Sequence, residues 1–374
     1  MSVNDTPSAE TAEYIFQTLY RDFTSNFDVV GPYWSFSHPV TSTDVHACIM
    51  EALRIFHYNE FKVICLILDG ATCNQKVVNL LTNATNKEIH SSDRKVPCSL
   101  INPFDPEIKV SVIYCPSHGL KNFINCLKQS EKGGTRTLKY SPDFPSFGWK
   151  SIRQLYDREL QRGIRLVPGL KKAHVERDMW TKLNVAPAKI IQSEQVIAEL
   201  KQYSFLVSDD EKIVTDQLIN YLEALHHIYE IGFLSRVKIH SEGSEPVLNI
   251  LKGYDYFISW QENYPSLKKT EKNFIPYQTF NLLKMSINGL LSVIEEFKKM
   301  TAENEHYYLI PHRISGSPVE SLFSQVRQRA PSGKVSGASY LYAIQRIRAT
   351  RNDTLVPSKK KRKDDYRNHQ LFLQ

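Results

Sequence analysis

Long apolar runs, paired cysteines and an N-terminal leader are all missing from this sequence. No stretch of about 18 consecutive apolar residues occurs, so we expect no membrane-spanning helix. The N-terminal sequence MSVNDTPSAETAEY is polar and acidic, which argues against a secretory signal peptide. The six cysteines form no Cys-x-x-Cys pair, and several lie in apolar segments. We therefore expect buried free thiols in a reducing compartment rather than disulfides.

A strong charge of one sign is also absent from most of the chain. The formal net charge is +7, but residues 351–374 contain seven Lys or Arg and three Asp, a net of +4. The preceding 350 residues therefore carry only +3. A field that attracts nucleic acid must come from a local patch or from this tail.

The tail contains five consecutive basic residues, which are Lys359, Lys360, Lys361, Arg362 and Lys363. A short terminal cluster of this kind is typical of a nuclear import signal, so we predict a nuclear protein that binds an import receptor. The alternative is a solvated polybasic tail that contacts nucleic acid or anionic surfaces. Because residues 351–374 cannot bury a core, we predict that they are disordered.

The first third of the chain alternates between apolar strands and amphipathic helices. Residues 1–27 are polar with some helical periodicity, and Thr41 and Asp44 can cap the helix that follows. The run FKVICLILDG (61–70) is short, apolar and stopped by Asp-Gly, which is typical of a strand buried on both faces. KVSVIYC (109–115) is a second such strand. The alternation predicts an α/β fold with a mixed or parallel sheet.

The pattern changes after a connection rich in Gly and Pro at residues 133–148. Residues 149–300 have the apolar spacing of helices almost throughout. The segment YYLIPHRISGSPVESLFSQVRQR then gives a short apolar stretch, a turn and a new helix. An α/β layer interrupted by a helical block is the order that an insertion domain produces.

Four residues could carry chemistry, and each also has a structural explanation. Asp69 ends an apolar strand, where α/β sheets collect ligands, yet an Asp-Gly turn that caps the next helix explains it equally well. Cys115 and His118 form a Cys-x-x-His, but a zinc site needs about four ligands and no second pair stands at finger spacing, so a structural role is favoured. Glu320 is three residues after Ser317, which is the spacing of a capping box; the alternative is a metal-binding glutamate.

Five segments taken in order resemble the P-element transposase family, including its THAP-domain relatives. They are VGPYWSF, FKVICLILDGATCN, YCPSHGLKN, WKSIRQLYDREL with the helices that follow it, and YYLIPHRISGSPVESLFSQVRQR. The resemblance implies an RNase H-like (retroviral-integrase-like) core interrupted by a large, all-helical, nucleotide-binding insertion domain. It implies core segments at 1–132 and 304–350, the insertion at 149–303 and the tail at 351–374.

The resemblance also implies a chemistry, which is two-metal phosphoryl transfer on DNA. It places the family's second catalytic aspartate at Asp69 and its catalytic glutamate at Glu320, which favours the metal-binding interpretation of both. Three carboxylates in the family hold two divalent ions such as Mg²⁺ about 3.5–4 Å apart. The insertion domain of the family binds GTP.

Several departures from the family pattern affect both the metal site and the nucleotide site. The first catalytic aspartate falls at or before Met1, and no zinc-ligand set of the family's DNA-binding domain precedes residue 40. His227 and Glu230 replace an Asp and an Asn that contact the nucleotide, and Ser317 replaces an Asp before the catalytic glutamate. We therefore expect little or no GTP binding and a metal site with Mg²⁺ ligands missing.

We interpret the sequence as a P-element-like transposase derivative without catalytic activity, kept as a domesticated nuclear factor that contacts DNA or protein. The alternative is an active metal-dependent DNA transposase or nuclease. In that case the first catalytic strand and the DNA-binding domain would lie in sequence upstream of Met1.

Overall fold

The chain divides into two compact units in a computed structural model. Unit 1 comprises Met1–Ala84, Ser99–Val112 and Ser315–Gln374, and unit 2 comprises Thr85–Cys98 and Ile113–Ile314. The structure describes residues 13–83, 93–131, 133–176, 185–264, 272–302, 304, 306–329, 339–347 and 368–373. Among these residues, no helix combines the length and the apolar character needed to cross a membrane.

Unit 1 is built on a six-stranded mixed sheet. Its strands are β1 (Tyr14–Asp22), β2 (Asp28–Phe36), β3 (Lys62–Leu68), β4 (Ser99–Asn102), β5 (Asp105–Tyr114) and β6 (Asn368–Leu373). Their spatial order is β2-β1-β6-β3-β5-β4. β1 is antiparallel to β2 and β6, β6 is parallel to β3, and β4 is antiparallel to β5. β3 and β5, which contain the two apolar runs predicted to be buried strands, are neighbours in this sheet.

Strand β3 is buried on both faces, as its unbroken apolar run predicts. Every residue from Val63 to Leu68 is at most 1% exposed. Helix α1 (Ser42–Tyr58) precedes this strand and packs against it, and α2 (Thr72–Thr82) follows it and packs against α1. Thr41 and Asp44 close a capping box at the start of α1, which confirms the predicted cap.

Strands β1 and β6 correct two predictions made from the sequence. Tyr14–Asp22 is a strand although residues 1–27 have some helical periodicity, because pairing with β2 and β6 on its two sides outweighs a weak local pattern. Asn368–Leu373 is a strand although the tail composition predicts disorder. Its backbone fills the space between β1 and β3 and pairs with both, so backbone hydrogen bonding rather than composition decides its structure.

Two further helical segments complete unit 1. Helix α11 (Ser317–Arg329) packs against β1, and residues 339–347 form another helical segment. Val319, Leu322 and Val326 form the buried stripe of α11 at helical spacing.

Unit 2 is mainly helical over its described residues, and it also contains the last two residues of β5. Its α-helices are α3 (Pro116–Gln129), α4 (Trp149–Gln161), α5 (Lys172–Val175), α6 (Ala186–Ile191), α7 (Glu194–Ser204), α8 (Asp209–Leu225), α9 (Glu245–Glu262) and α10 (Tyr277–Met300). A π-helical segment, His226–Phe233, continues α8, and Pro311–Arg313 forms a 3₁₀ turn. The long helical block predicted from the sequence is thus present.

Aromatic side chains form the core of unit 2. The ring of Trp260 is fully buried and lies 5.0 Å from that of Phe274 and 5.7 Å from that of Phe147. Its indole N–H donates to the carbonyl of Lys139 at 2.6 Å. Gly253 lets α9 approach α8, because a Cβ there would lie 2.5 Å from the carbonyl oxygen of Ala224.

Candidate functional site

Asp69 lies at the carboxyl end of β3 and holds the turn into α2. Its Oδ1 accepts hydrogen bonds from the backbone N–H of Ala71 at 2.9 Å and from Nδ2 of Asn74 at 2.7 Å. Ala71, the N-cap residue, supplies no side-chain bond to α2, so Asp69 takes over part of that capping role. Its Oδ2 has no hydrogen bond with any residue that the structure describes. One oxygen of this carboxylate therefore has a structural role, and the other is open to a ligand.

Glu320 lies in the first turn of α11 and is half-buried. The helix begins one residue earlier than the sequence suggests. The carbonyl of Gly316 accepts from the backbone N–H groups of Val319 and Glu320, and the N–H of Ser317 donates to the hydroxyl of Ser315 at 3.2 Å. Ser317, predicted as the N-cap, is thus the first helical residue. The reason is that Ser315 supplies the hydroxyl that the turn requires.

A third carboxylate is missing from the centres of the strands beside β3. β6 has the sequence NHQLFL, and β5 has no acidic residue between Ile108 and Tyr114. Asp22 of β1 is aligned, through His369 of β6, with Val63 at the beginning of β3. Asp69 follows the other end of β3, so Asp22 and Asp69 lie at opposite ends of the strands. Over the described part of the chain, no group of three or more His, Cys, Asp or Glu could hold a metal ion. These residues do not fit a three-carboxylate, two-metal site.

A buried polar group in β1 is a feature that the sequence analysis missed. Gln17 is fully buried; its Nε2 donates to the carbonyl of Gly31 at 3.1 Å, and its Oε1 accepts from the Tyr340 hydroxyl at 2.7 Å. The β1–β2 register shifts between Gln17 and Leu19, which marks a bulge. The polar pair Gln-Thr inside the apolar run YIFQTLY was the available signal. Since every bond of this group is internal, we assign it a structural role.

Cys115 and His118 stand at the start of α3 in unit 2. Cys115 is buried and makes no side-chain capping bond, and His118 is half-buried. The next residue, Gly119, packs on Tyr229, because a Cβ there would lie 2.7 Å from the tyrosine hydroxyl. Burial, together with Cys115, raises the pKa of the Tyr229 phenol above its ordinary value. These contacts support the structural role favoured for the Cys-x-x-His.

His227 and Glu230 lie in the π-helical segment of unit 2. The Nδ1 atom of His227 is 2.9 Å from Oδ1 of Asn249, so one ring nitrogen is engaged within the unit. Burial and the nearby charge of Lys252 lower the pKa of His227, which keeps the ring neutral at pH 7. Glu230 is exposed. π-helical turns recur at functional sites. Here, however, His227 and Glu230 do not supply the carboxylate and amide that contact the nucleotide in the resembling family, and neither carries a fixed positive charge.

The basic cluster Lys359–Lys363 lies outside the described residues.

Comparison with known proteins supports the fold. No protein-family model matches the chain, and no curated protein matches it. The solved structure of the Drosophila P element transposase strand transfer complex is similar, with a TM-score of 0.68 and 14% sequence identity. The similarity covers 92% of this chain and 72% of that chain. At this identity the likeness concerns the fold, and we conclude that this chain has a P-element-transposase-like fold.

Proposed function

We propose that this protein is a catalytically inactive, P-element-like transposase derivative that binds DNA in the nucleus. The observation that carries the proposal is the similarity of fold over 92% of the chain to a transposase in a strand transfer complex. In this proposal unit 1 is an RNase H-like core and unit 2 is its helical insertion. The tail cluster Lys359–Lys363 is the proposed import signal.

The carboxylates around β3 support the proposed absence of catalysis. Two-metal phosphoryl transfer requires several carboxylates that clamp two ions. Asp69 and Glu320 are the candidates in unit 1, and one oxygen of Asp69 is already bonded to Ala71 and Asn74. Strand β6 occupies the place beside β3 and brings no acidic residue. Two carboxylates without a third support the proposed absence of strand cleavage.

We predict that the purified chain binds duplex DNA but neither cleaves nor joins it with Mg²⁺ or Mn²⁺. Gel-shift titration should show affinity falling about 100-fold between ~50 and ~200 mM salt, as expected for about four phosphate contacts. Incubation of the same preparation with labelled DNA should leave all strands intact.

The control for this experiment is Asp69→Ala, which should bind DNA like the unmodified chain. Cleavage that chelator abolishes and that Asp69→Ala removes would establish the alternative, an active metal-dependent transposase or nuclease. Failure to shift DNA at low salt would contradict the DNA-binding part of the proposal.

We further propose that the nucleotide site is defective, and we predict no GTP binding at about 1 mM. Each polar group of a bound nucleotide that lacks its hydrogen-bond partner in the protein weakens the binding free energy by about 1–3 kcal/mol. His227 has its Nδ1 bonded to Asn249, and Glu230 adds a negative charge. Two such losses weaken binding by roughly 30- to 10,000-fold.

Calorimetric titration with GTP checks this prediction. The double variant His227→Asp, Glu230→Asn restores the family's residue types and should bind GTP more tightly than the unmodified chain. Micromolar, guanine-selective binding by the unmodified chain would show that the nucleotide site is retained.

A further inference from the structure

Unit 2 contains a cavity at the end of α10, where the last turn of that helix meets the segment leading into α9. Its volume is about 450 Å³. Phe297, which is 4% exposed, supplies an apolar wall. Polar and aromatic residues supply the rest, among them His240, Lys298, Asn304 and Tyr307. None of the described residues of this lining is acidic, so the cavity suits a ligand with a flat apolar part and a negative charge.

Backbone hydrogen bonds fix the two sides of the cavity. The N–H of Ile239 donates to the carbonyl of Leu309 at 2.8 Å, and the N–H of Leu309 donates back at 2.9 Å. Both residues are 1% exposed. The Ser244 hydroxyl accepts from the N–H groups of His240 at 2.9 Å and of Ser241 at 3.1 Å. The backbone beside the cavity is therefore held in place by bonds within the unit.

The lysine that lines the cavity is not neutralised by an acid. Lys298 is half-buried and forms no ion pair with a described residue. Its neighbour Lys299 lies 3.4 Å from the carboxylate of Glu295 and 3.8 Å from that of Glu296. Both lysines are in the last turn of α10, where a positive charge stabilises a helix. Helix stabilisation therefore applies to both and does not explain why Lys298 alone has its charge free at a cavity.

Lys238 and His240 place two more basic groups around the ring of Tyr308. The Nζ atom of Lys238 lies 3.9 Å from the centre of that ring, and the imidazole of His240 lies 6.0 Å from it. A cation–π contact orients an ammonium group and leaves its charge in place. Both basic residues are exposed, and neither is ion-paired within the described part of the chain. Together with Lys298 they form a basic surface that attracts phosphate groups.

Tyr307 supplies an aromatic ring that no described ring or cation covers. It is half-buried and lines the cavity, whereas the neighbouring Tyr308 already has Lys238 over its ring. Asn304 adds a hydrogen-bond donor, because its Oδ1 accepts from the N–H of His306 at 2.9 Å and its Nδ2 is left for a ligand. An open aromatic face beside basic groups is the combination with which proteins bind single-stranded nucleic acid, by stacking on its bases and pairing with its phosphates.

We propose that this cavity binds an unpaired base of single-stranded DNA. The base stacks on Tyr307, with its edge at Asn304, and the flanking phosphates pair with Lys298 and Lys238. A base inside a duplex cannot enter, because stacking and pairing already occupy its faces and its edge. The inference rests on the proposed DNA binding for its choice of polymer, and it goes further by assigning a surface of unit 2 and the state of the strand.

Fluorescence anisotropy of the full chain with a labelled thymine oligonucleotide of about 12 nucleotides tests this inference. Tyr307→Ala should weaken binding by at least about 5-fold, the lower end of what one base–aromatic stack contributes, and Tyr307→Phe should retain binding. Lys298→Ala should weaken binding and reduce the slope of log affinity against log salt by about 0.7, the contribution of one phosphate contact. With iodouracil in place of thymine, ultraviolet light should cross-link the oligonucleotide to Tyr307.

Lys299→Ala is the matched control for Lys298→Ala. It removes the same charge one residue away, from a lysine that is ion-paired and does not line the cavity, so the salt slope should not change. A labelled duplex should bind Tyr307→Ala as tightly as it binds the unmodified chain.

The inference is overturned if the oligonucleotide does not bind, if Tyr307→Ala and Lys298→Ala bind it like the unmodified chain, or if Lys299→Ala weakens binding as much as Lys298→Ala. Binding of the duplex without the single strand would refute this inference and leave the proposed DNA binding intact. Binding of neither would refute both.

Discussion

The variant Leu371→Pro should lower the free energy of unfolding of unit 1 by about 3 kcal/mol or more, since proline cannot take its place in a central strand. Leu371 pairs with Tyr20 of β1 on one side and with Leu66 of β3 on the other. Proline removes the backbone N–H, which a residue in the middle of a sheet needs for its ladder hydrogen bond. The melting temperature, followed by circular dichroism, should fall by roughly 6–12 °C.

The same variant should also promote association between molecules. When β6 leaves the sheet, β1 and β3 each expose a row of unpaired backbone groups, and exposed strand edges recruit other chains. Leu371→Val is the control, because it keeps the backbone N–H and should cost much less. If Leu371→Pro melts like the unmodified chain, β6 does not belong to the sheet, and the predicted disorder of residues 351–374 was right.

Trp260→Ala should destabilise unit 2 by about 3–5 kcal/mol, the usual cost of removing a large aromatic side chain from a core. Trp260 is surrounded by other aromatic rings. It is 0% exposed to solvent, and the centre of its ring lies 5.0 Å from that of Phe274. The variant also leaves the carbonyl of Lys139 without its indole N–H donor. Urea denaturation followed by circular dichroism measures the loss.

Two companion variants separate the contributions to that loss. Trp260→Phe keeps an aromatic ring but removes the N–H, so its cost should be smaller than that of Trp260→Ala. Phe205 is 79% exposed in the same unit, and Phe205→Ala should change stability by no more than about 0.5 kcal/mol. Equal effects of Trp260→Ala and Phe205→Ala would contradict the aromatic core described for unit 2.

Prediction from the sequence succeeded where local composition decides the outcome. The apolar run Val63–Leu68 predicted a strand buried on both faces, and Thr41 with Asp44 predicted the start of α1. The apolar spacing of residues 149–300 predicted a helical block. Each of these signals depends on side chains within one segment, which is why it can be recognised without knowledge of the rest of the chain.

Prediction failed where partners distant in sequence decide the outcome. β1 is interrupted by the buried pair Gln17–Thr18, whose bonds go to Gly31, Pro32 and Tyr340, so its strand pattern is weak when considered alone. The start of α11 moved by one residue because Ser315 supplies the hydroxyl predicted for Ser317.

The sequence alone therefore determined which segments are buried, where the main helices lie, and the order of motifs that resembles P-element transposases. Only the tertiary structure decided that Asn368–Leu373 lies between β1 and β3, and which polar groups surround Asp69. The physical reason is that apolar burial is encoded by the side chains of one segment. Backbone pairing between strands is available to almost any sequence, so the partner is selected by the folded chain as a whole.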